Sequence, residues 1–181
     1  MAKVFINPGH CPGVDPGAVN NELGITEADI VHDIGTMVTD YLDKAGCEVM
    51  LLQSNNLNGE APGENVCATA NYWPADVFVS LHCNAFNGAA KGTETCVYSL
   101  FGESAKLGQC IQNQLVNSLG TIDRGLKERT GLAVLKATTM PAALVEIAFI
   151  DNADDASVLM HCKDAIARAI ARGVTDYIVS R

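Results

Sequence analysis

An almost wholly apolar run near the carboxyl end, Ala143–Ile150 (ALVEIAFI), constrains the fold of this chain more than any other feature. Its length and its flanking residues favour a strand. A strand with apolar side chains on both of its faces must be covered on both faces. We therefore expect this strand inside a sheet that lies between two layers of helices.

Short apolar strands and amphipathic helices alternate along the rest of the chain. The pattern predicts further strands at Lys3–Asn7, Glu48–Gln53, Asp76–His82, Gly92–Ser99 and Leu132–Leu135. It predicts helices at residues 27–45, up to about Tyr72, at Glu103–Leu119 and at Ala165–Val179, and a loop at Ser54–Gly63. We expect a single α/β domain over residues 1–181, with a twisted, mostly parallel (mixed) sheet of about six strands flanked by helices on both faces.

Composition and charge exclude several classes of protein. Of the 181 residues, 48% are hydrophobic and 18% are charged, which is typical of a chain that buries a substantial core. Twelve basic against 21 acidic side chains, a net charge of −9 at pH 7, argue against nucleic acid or an anionic membrane surface as the partner. No apolar run approaches the ~18 residues of a membrane-spanning helix, so we expect no membrane insertion. No signal peptide is recognisable, and the route of export stays open.

The seven cysteines are scattered and include no Cys-x-x-Cys pair of the structural-zinc type. We expect them to be reduced thiols that pack as small apolar side chains. This expectation includes Cys11 and Cys83, although each directly follows a histidine. If the third strand continues through Cys83, its side chain points away from that of His82.

Four residues fall where an open α/β sheet presents its functional groups. His10 follows the first strand, Glu27 lies in the first turn of a helix, His82 ends the third strand and Glu146 interrupts the apolar run. Loops converge beyond the carboxyl ends of parallel strands. Two histidines and a carboxylate make the ligand set of a catalytic zinc site, which keeps its fourth position for water. Glu146 is the candidate for the carboxylate that takes the proton of that water.

The residues alone leave other interpretations open. Either histidine could be an ordinary surface or core residue. Glu22 is also acidic and close to the first histidine, so it competes with Glu27 for the third ligand position. A buried Glu146 needs a partner, and a structural salt bridge with Arg124 or Lys136 would supply one.

Four blocks of sequence occur in the order of a known family. They are NPGHCPGVDPGAV (Asn7–Val19), Glu27 nineteen residues before Gly46, ANYWPADVFVSLHCNA (Ala70–Ala85) and PAALVEIAFIDN (Pro141–Asn152). Through these blocks, and nearly from end to end, the chain resembles the zinc-dependent N-acetylmuramoyl-L-alanine amidases of the amidase type 3 family.

The resemblance implies Zn²⁺ as the cofactor, His10, Glu27 and His82 as its ligands, and Glu146 as the catalytic carboxylate. It favours Glu27 over Glu22, because the ligand of the family lies one helix before a glycine turn. It implies that zinc-activated water cleaves the amide between N-acetylmuramic acid and L-alanine of the peptidoglycan stem peptide. The protein would then act at the cell wall, in the periplasm or outside the cell, and we expect it to be a monomer.

The chain departs from the family in two places. Members often have an arginine at the position of Val66, and a strand that often ends in Thr-Arg ends here in Gln53-Ser54. Neither is a ligand position, so these changes concern loop architecture and substrate contacts. Two rival functions remain: a zinc peptidase or aminoacylase on a similar scaffold, and a degenerate wall-binding module. Loss of a site residue would mark the module, and all four site residues are present.

Overall fold

The computed structural model describes residues 1–59 and 61–181. The strands in this part of the chain are β1 (Lys3–Pro8), β2 (Val19–Asn20), β3 (Ile25–Thr26), β4 (Glu48–Leu51), β5 (Val77–Asn84), β6 (Thr93–Val97), β7 (Asp123–Glu128) and β8 (Ala142–Phe149). The helices are α1 (Glu27–Lys44), α2 (Val66–Tyr72), α3 (Glu103–Leu119), α4 (Ala133–Lys136), α5 (Ala153–His161) and α6 (Lys163–Val179).

Six strands form one mixed sheet in the order β4-β1-β5-β8-β6-β7, and β2 and β3 form a separate small hairpin. The strands β4, β1, β5 and β8 run parallel to one another. The strand β6 is antiparallel to β8 and parallel to β7. The carboxyl ends of β1, β5 and β8 therefore share an edge with the amino ends of β6 and β7. The predicted fold class, a mostly parallel sheet of about six strands, is confirmed.

Side chains of each central strand alternate between two apolar cores, one on either face of the sheet. Val77, Val79 and Leu81 of β5 point into the larger core, which the apolar faces of α1, α3 and α6 cover. Phe78 of the same strand points into the smaller core, which α2 and α4 cover. Helices thus lie on both faces, as the apolar run in β8 requires. No helix within the described residues is long and apolar enough to cross a membrane.

Two neighbouring elements differ from the prediction. The prediction of a strand at Leu132–Leu135 is wrong, because Ala133–Lys136 forms one helical turn, α4. Four apolar residues are too few to distinguish a strand from a helix by periodicity. The sixth strand is instead Asp123–Glu128 (DRGLKE), which carries no apolar alternation. Because this strand lies at the edge of the sheet and is half-exposed, polar residues are compatible with it.

Other boundaries shift in ways that affect the site. The strand predicted to end at His82 continues to Asn84. Helix α5 is absent from the prediction, although Asn152 caps it by accepting hydrogen bonds from the backbone N–H groups of Asp154 and Asp155. A cap residue followed by acidic residues is a recognisable helix start. Residue 60, within the predicted loop Ser54–Gly63, lies outside the described residues.

Helices α3 and α6 pack closely because Gly173 has no side chain. A Cβ atom at this position would lie 2.5 Å from the Cα atom of Ile111 and 2.8 Å from its backbone nitrogen. These are backbone atoms of α3, which cannot move aside without separating the two helices. The contact therefore sets the distance between α3 and α6, two of the three helices that cover the larger core.

We predict that Gly173→Ala destabilises the protein. Helix propensity alone would make alanine stabilising by about 1 kcal/mol. Overpacking typically costs about 1–3 kcal/mol, and a clash with rigid backbone falls at the upper end of that range. The measurement is the free energy of unfolding in urea. Gly131→Ala is the control, because a Cβ atom there meets nothing within 4 Å. A more stable Gly173→Ala variant would contradict the prediction.

Candidate active site

Three potential metal ligands meet at the edge of the sheet where β1 and β5 end. His10, Glu27 and His82 each offer one ligand atom, and these atoms lie within 4.8 Å of one another. His10 follows β1, Glu27 is the first residue of α1, and His82 lies near the end of β5. The carboxylate is buried, and both histidines are half-buried. The described residues contain no second cluster of this kind.

The Glu27 carboxylate holds this cluster together. Its Oε1 accepts a hydrogen bond from the backbone N–H of Cys83 (3.0 Å) and lies 2.8 Å from Nδ1 of His82. Its Oε2 accepts from the backbone N–H of Ala18 (2.9 Å) and lies 3.2 Å from Nε2 of His10. Burial disfavours the ionised carboxylate, but the hydrogen bonds from the two histidines outweigh burial and hold the pKa of Glu27 well below its usual value. The hydrogen bond to Glu27 in turn raises the pKa of His10 to about 9. The ionised Glu27 carboxylate therefore favours a positive charge at this cluster of two histidines and one glutamate.

Asp15 orients the His10 ring, and sequence reasoning assigned Asp15 no role. The Oδ2 atom of Asp15 lies 2.8 Å from Nδ1 of His10, so the other ring nitrogen is directed at Glu27. Asp15 is itself held, because its Oδ1 accepts a hydrogen bond from the backbone N–H of Gly17 at 3.1 Å. A carboxylate behind a histidine is a common way to set the orientation and tautomer of a metal ligand. The block Asn7–Val19, which contains both residues, was the available signal.

The loop after β1 approaches β5 closely enough to require a glycine. A Cβ atom on Gly9 would lie 2.2 Å from Cε1 of His82, which is far shorter than a van der Waals contact. The side chain of Gln53 then ties this loop to α1, because its Nε2 donates to the carbonyl oxygens of Gly9 and Ala28, both at 3.0 Å. The departure from the family at Gln53 is therefore accommodated by loop architecture next to the histidines.

Glu146 lies directly across the sheet from His82 on one side and from Glu94 on the other. Its Oε2 atom is buried and has no hydrogen-bond partner among the described residues. Burial raises the pKa of Glu146 to about 7. The alternative interpretation, a structural salt bridge to Glu146, is wrong. Arg124 pairs instead with Glu94 (Nε to Oε2, 2.7 Å), and Lys136 is exposed. Within residues 1–59 and 61–181, Glu146 forms no ion pair.

The other candidates from the sequence lie away from this cluster. Glu22 is exposed and lines a separate depression with Asp151 and His161. Cys83 points into the larger core, opposite to His82, and burial raises its pKa well above the ordinary value. All seven cysteines are unpaired, as expected. Neither Glu22 nor the Cys83 thiol is placed to bind a metal with the two histidines.

A cleft of about 150 Å³ opens beside the histidines. Its polar lining residues are Asn7, His10, Asp15, Asn55 and His82. Its apolar lining residues are Leu57, Leu132, Ala133, Val134 and Leu144. The turn α4 contributes to the apolar lining, so the segment that was wrongly predicted to be a strand forms part of the cleft.

The residues present fit a hydrolytic zinc site. Such a site has three nitrogen or oxygen ligands and an open position, and His10, Glu27 and His82 supply two imidazoles and one ionised carboxylate. The buried, unpartnered oxygen of Glu146 lies one strand from His82. A group of this kind can accept or donate a proton beside the metal.

Comparison with known proteins agrees with this chemistry. Residues 4–176 match the family model described as N-acetylmuramoyl-L-alanine amidase. The uncharacterized protein YqiI of Bacillus subtilis is 39% identical over 178 residues, which cover 96% of this chain and 84% of YqiI. The N-acetylmuramoyl-L-alanine amidase LytC of the same organism is 37% identical over 180 residues, but the match covers only 35% of LytC.

Solved structures show the same fold. The CwlD amidase of Clostridioides difficile, solved in complex with the GerS lipoprotein, has a TM-score of 0.88 at 26% identity, with 100% of both chains covered. The amidase AmiC2 of Nostoc punctiforme has a TM-score of 0.86 at 26% identity, covering 98% of this chain and 97% of that chain. The match to the family model extends over nearly the whole chain. The chain therefore belongs to the N-acetylmuramoyl-L-alanine amidase family.

Proposed function

We propose that this domain is a zinc-dependent peptidoglycan hydrolase that cleaves the amide between N-acetylmuramic acid and L-alanine. Membership of the family supports the assignment of this amide as the bond that is cleaved. The observation that supports zinc dependence is that the ligand atoms of His10, Glu27 and His82 lie within 4.8 Å of one another. Because the substrate is peptidoglycan, the domain acts at the cell wall, in the periplasm or outside the cell.

His10, Glu27 and His82 would hold the metal. A Zn²⁺ ion bound by them would polarise the scissile carbonyl and lower the pKa of a water molecule in the open position. The ionised Glu27 supplies negative charge, and Asp15 keeps the His10 ring in a ligating orientation. The chain's own contribution at this point is to present three ligand atoms whose relative positions are already set.

Glu146 would move the proton. Its unpartnered Oε2 is available to accept a proton from the attacking water and to pass it to the departing nitrogen of L-alanine. In the metal-free protein, burial raises the pKa of Glu146 to about 7, so the group is suited to both steps near neutral pH. The backbone of β8 holds Glu146 in register with His82, and this register supports the proposed role of Glu146 as the proton carrier.

The shape of the cleft supports a small, partly apolar group next to the scissile bond. Leu57, Leu132 and Leu144 line the cleft together with the two histidines. The lactyl and alanyl parts of the substrate each carry a methyl group that suits such a wall. A zinc peptidase or aminoacylase would cleave simple acylated peptides as well. Digestion of purified peptidoglycan, with detection of new L-alanine amino groups, tests the function against this rival.

The first prediction from this site concerns metal content. The purified protein should contain about one Zn²⁺ per chain, and chelation should remove the activity. His82→Ala should lose metal and activity together, because removal of a ligand acts on affinity. Elemental analysis and the peptidoglycan assay measure the two effects. An active preparation without metal would rule out zinc dependence.

The second prediction concerns Glu146→Gln, which keeps the shape of the side chain and removes the base. General acid–base catalysis typically contributes ~10²–10⁴-fold, so we expect a loss of at least about a hundredfold in rate with normal zinc content. Glu22→Gln is the matched control, because Glu22 is exposed and outside the cluster, and it should stay active. A fully active Glu146→Gln variant would make Glu146 a bystander. Loss of zinc from that variant would make Glu146 a ligand.

The third prediction concerns Asp15→Asn. Loss of the carboxylate behind a metal-bound histidine typically lowers metal affinity about 10–100-fold. We expect that loss in a competition titration with a zinc chelator, with folding unchanged. Asp40→Asn is the control, because Asp40 pairs with Lys44 on the exposed face of α1. Equal zinc affinity in the Asp15→Asn variant and the wild type would show that Asp15 does not support the site.

A further inference from the structure

The edge strand β7 places two basic side chains on the face of the sheet that carries Glu146. Lys127 of β7 is opposite Cys96 of β6, which is in turn opposite Leu144 of β8. Leu144 and Glu146 are two residues apart on one strand, so they share a face. Arg124 reaches the same face, because its side chain contacts Glu94, the cross-strand neighbour of Glu146. These two cations therefore lie on the same face as the carboxylates of Glu94 and Glu146.

Arg124 is held rigidly while part of its guanidinium is left open. Its Nε donates to Oε2 of Glu94 at 2.7 Å, and its guanidinium lies 4.9 Å from the ring centre of Phe149. Its Nη1 makes one long contact, 3.5 Å, to the carbonyl oxygen of Lys91. A guanidinium has five N–H donors. Among the described residues nothing accepts from Nη2, and the side chain is 35% exposed.

Neutralising Glu94 does not require this arrangement. Glu94 is only 6% exposed and needs a positive partner, which the single Nε contact provides. The outer edge of the guanidinium, with Nη2, plays no part in that contact. A planar pair of N–H donors matches the two oxygens of a carboxylate, which makes the open edge of Arg124 a carboxylate-binding group.

The distance between Arg124 and Glu146 suits a substrate group close to the scissile bond. β7 is two strands from β8, about 10 Å at the usual strand spacing. In the stem peptide, the amino group of D-glutamate is joined to L-alanine and its side-chain carboxyl group is joined to the next residue, so its α-carboxylate stays free. That carboxylate lies within about two residues of the scissile amide, roughly 7 Å of extended chain. The Arg124 side chain leans from β7 toward Glu94 and so spans the difference.

We propose that Arg124 binds the free α-carboxylate of the D-glutamate in the stem peptide, and that the β7 edge forms the peptide subsite. This inference rests on the proposed amidase function and adds a specificity to it. The enzyme discriminates between stem peptides whose D-glutamate carboxylate is free and those in which it is amidated to D-isoglutamine. Lys127 adds positive charge to the same subsite.

The test compares two substrates that differ in one group. They are N-acetylmuramoyl-L-alanyl-γ-D-glutamyl-L-lysine and the same molecule with D-isoglutamine. Hydrogen bonds to charged groups contribute enough to give about a tenfold to hundredfold difference in kcat/KM, and we expect the free carboxylate to be preferred by that factor, mainly through KM. Arg124→Gln should remove the preference, because the variant lacks the group that binds the free carboxylate. Arg172→Gln, on the exposed face of α6, is the control and should keep it.

A double variant separates carboxylate binding from charge balance. Arg124→Gln alone leaves Glu94 buried and unpaired, which could damage the site or the fold. Glu94→Gln combined with Arg124→Gln removes both charges. If Arg124 binds the substrate carboxylate, the double variant still lacks the preference. If Arg124 only balances Glu94, the double variant recovers wild-type kcat/KM and preference, and the proposal is overturned.

Binding of the product peptide tests the inference without turnover. Isothermal titration of L-alanyl-γ-D-glutamyl-L-lysine and its amidated form should show the same preference, lost in the double variant. Failure of the amidase function would appear as no cleavage of either muramoyl substrate, whereas peptide binding would still report on Arg124. Equal binding of the two peptides to the wild type, or a preference that survives in the double variant, would overturn the proposal.

Discussion

The geometry of the site depends on one buried carboxylate, that of Glu27. Burying an ionised carboxylate costs roughly several kcal/mol of folding free energy unless hydrogen bonds compensate. Glu27 meets this requirement through two backbone N–H groups and two imidazoles. These partners come from the residue just before β2, from the end of β5 and from the loop after β1. One carboxylate thereby aims both histidines at the same point.

The reversal of strand direction at β6 adds further charges to this site. In an all-parallel sheet, the carboxyl ends of all strands would meet at one edge. Here β6 runs antiparallel to β8, so residues near the amino ends of β6 and β7 lie beside Glu146. His82, Glu146 and Glu94 form one row across the sheet, and Arg124 continues it. The two carboxylates in this row differ, because Glu94 has a cationic partner and Glu146 has none among the described residues.

Most helices and strands could be predicted because apolar periodicity is a local property of the sequence. Helix α3 was predicted at Glu103–Leu119 and occupies those residues. The elements that were missed or misassigned have a weak local signal. Strand β7 has no apolar alternation, because it is a half-exposed strand at the edge of the sheet. Helix α4 is a single turn. Whether four apolar residues form a strand or a helical turn depends on the surface against which they pack.

The sequence by itself determined the order and chemical types of the site residues. It also determined the apolar strand that requires Glu146 to be buried, because burial follows from the residues on either side of it. Tertiary structure alone decided the partners. Packing placed Asp15 behind His10 and gave Arg124 to Glu94 instead of Glu146. These contacts join side chains on different loops and strands, and their distances depend on sheet order and register, which no local pattern in the sequence specifies.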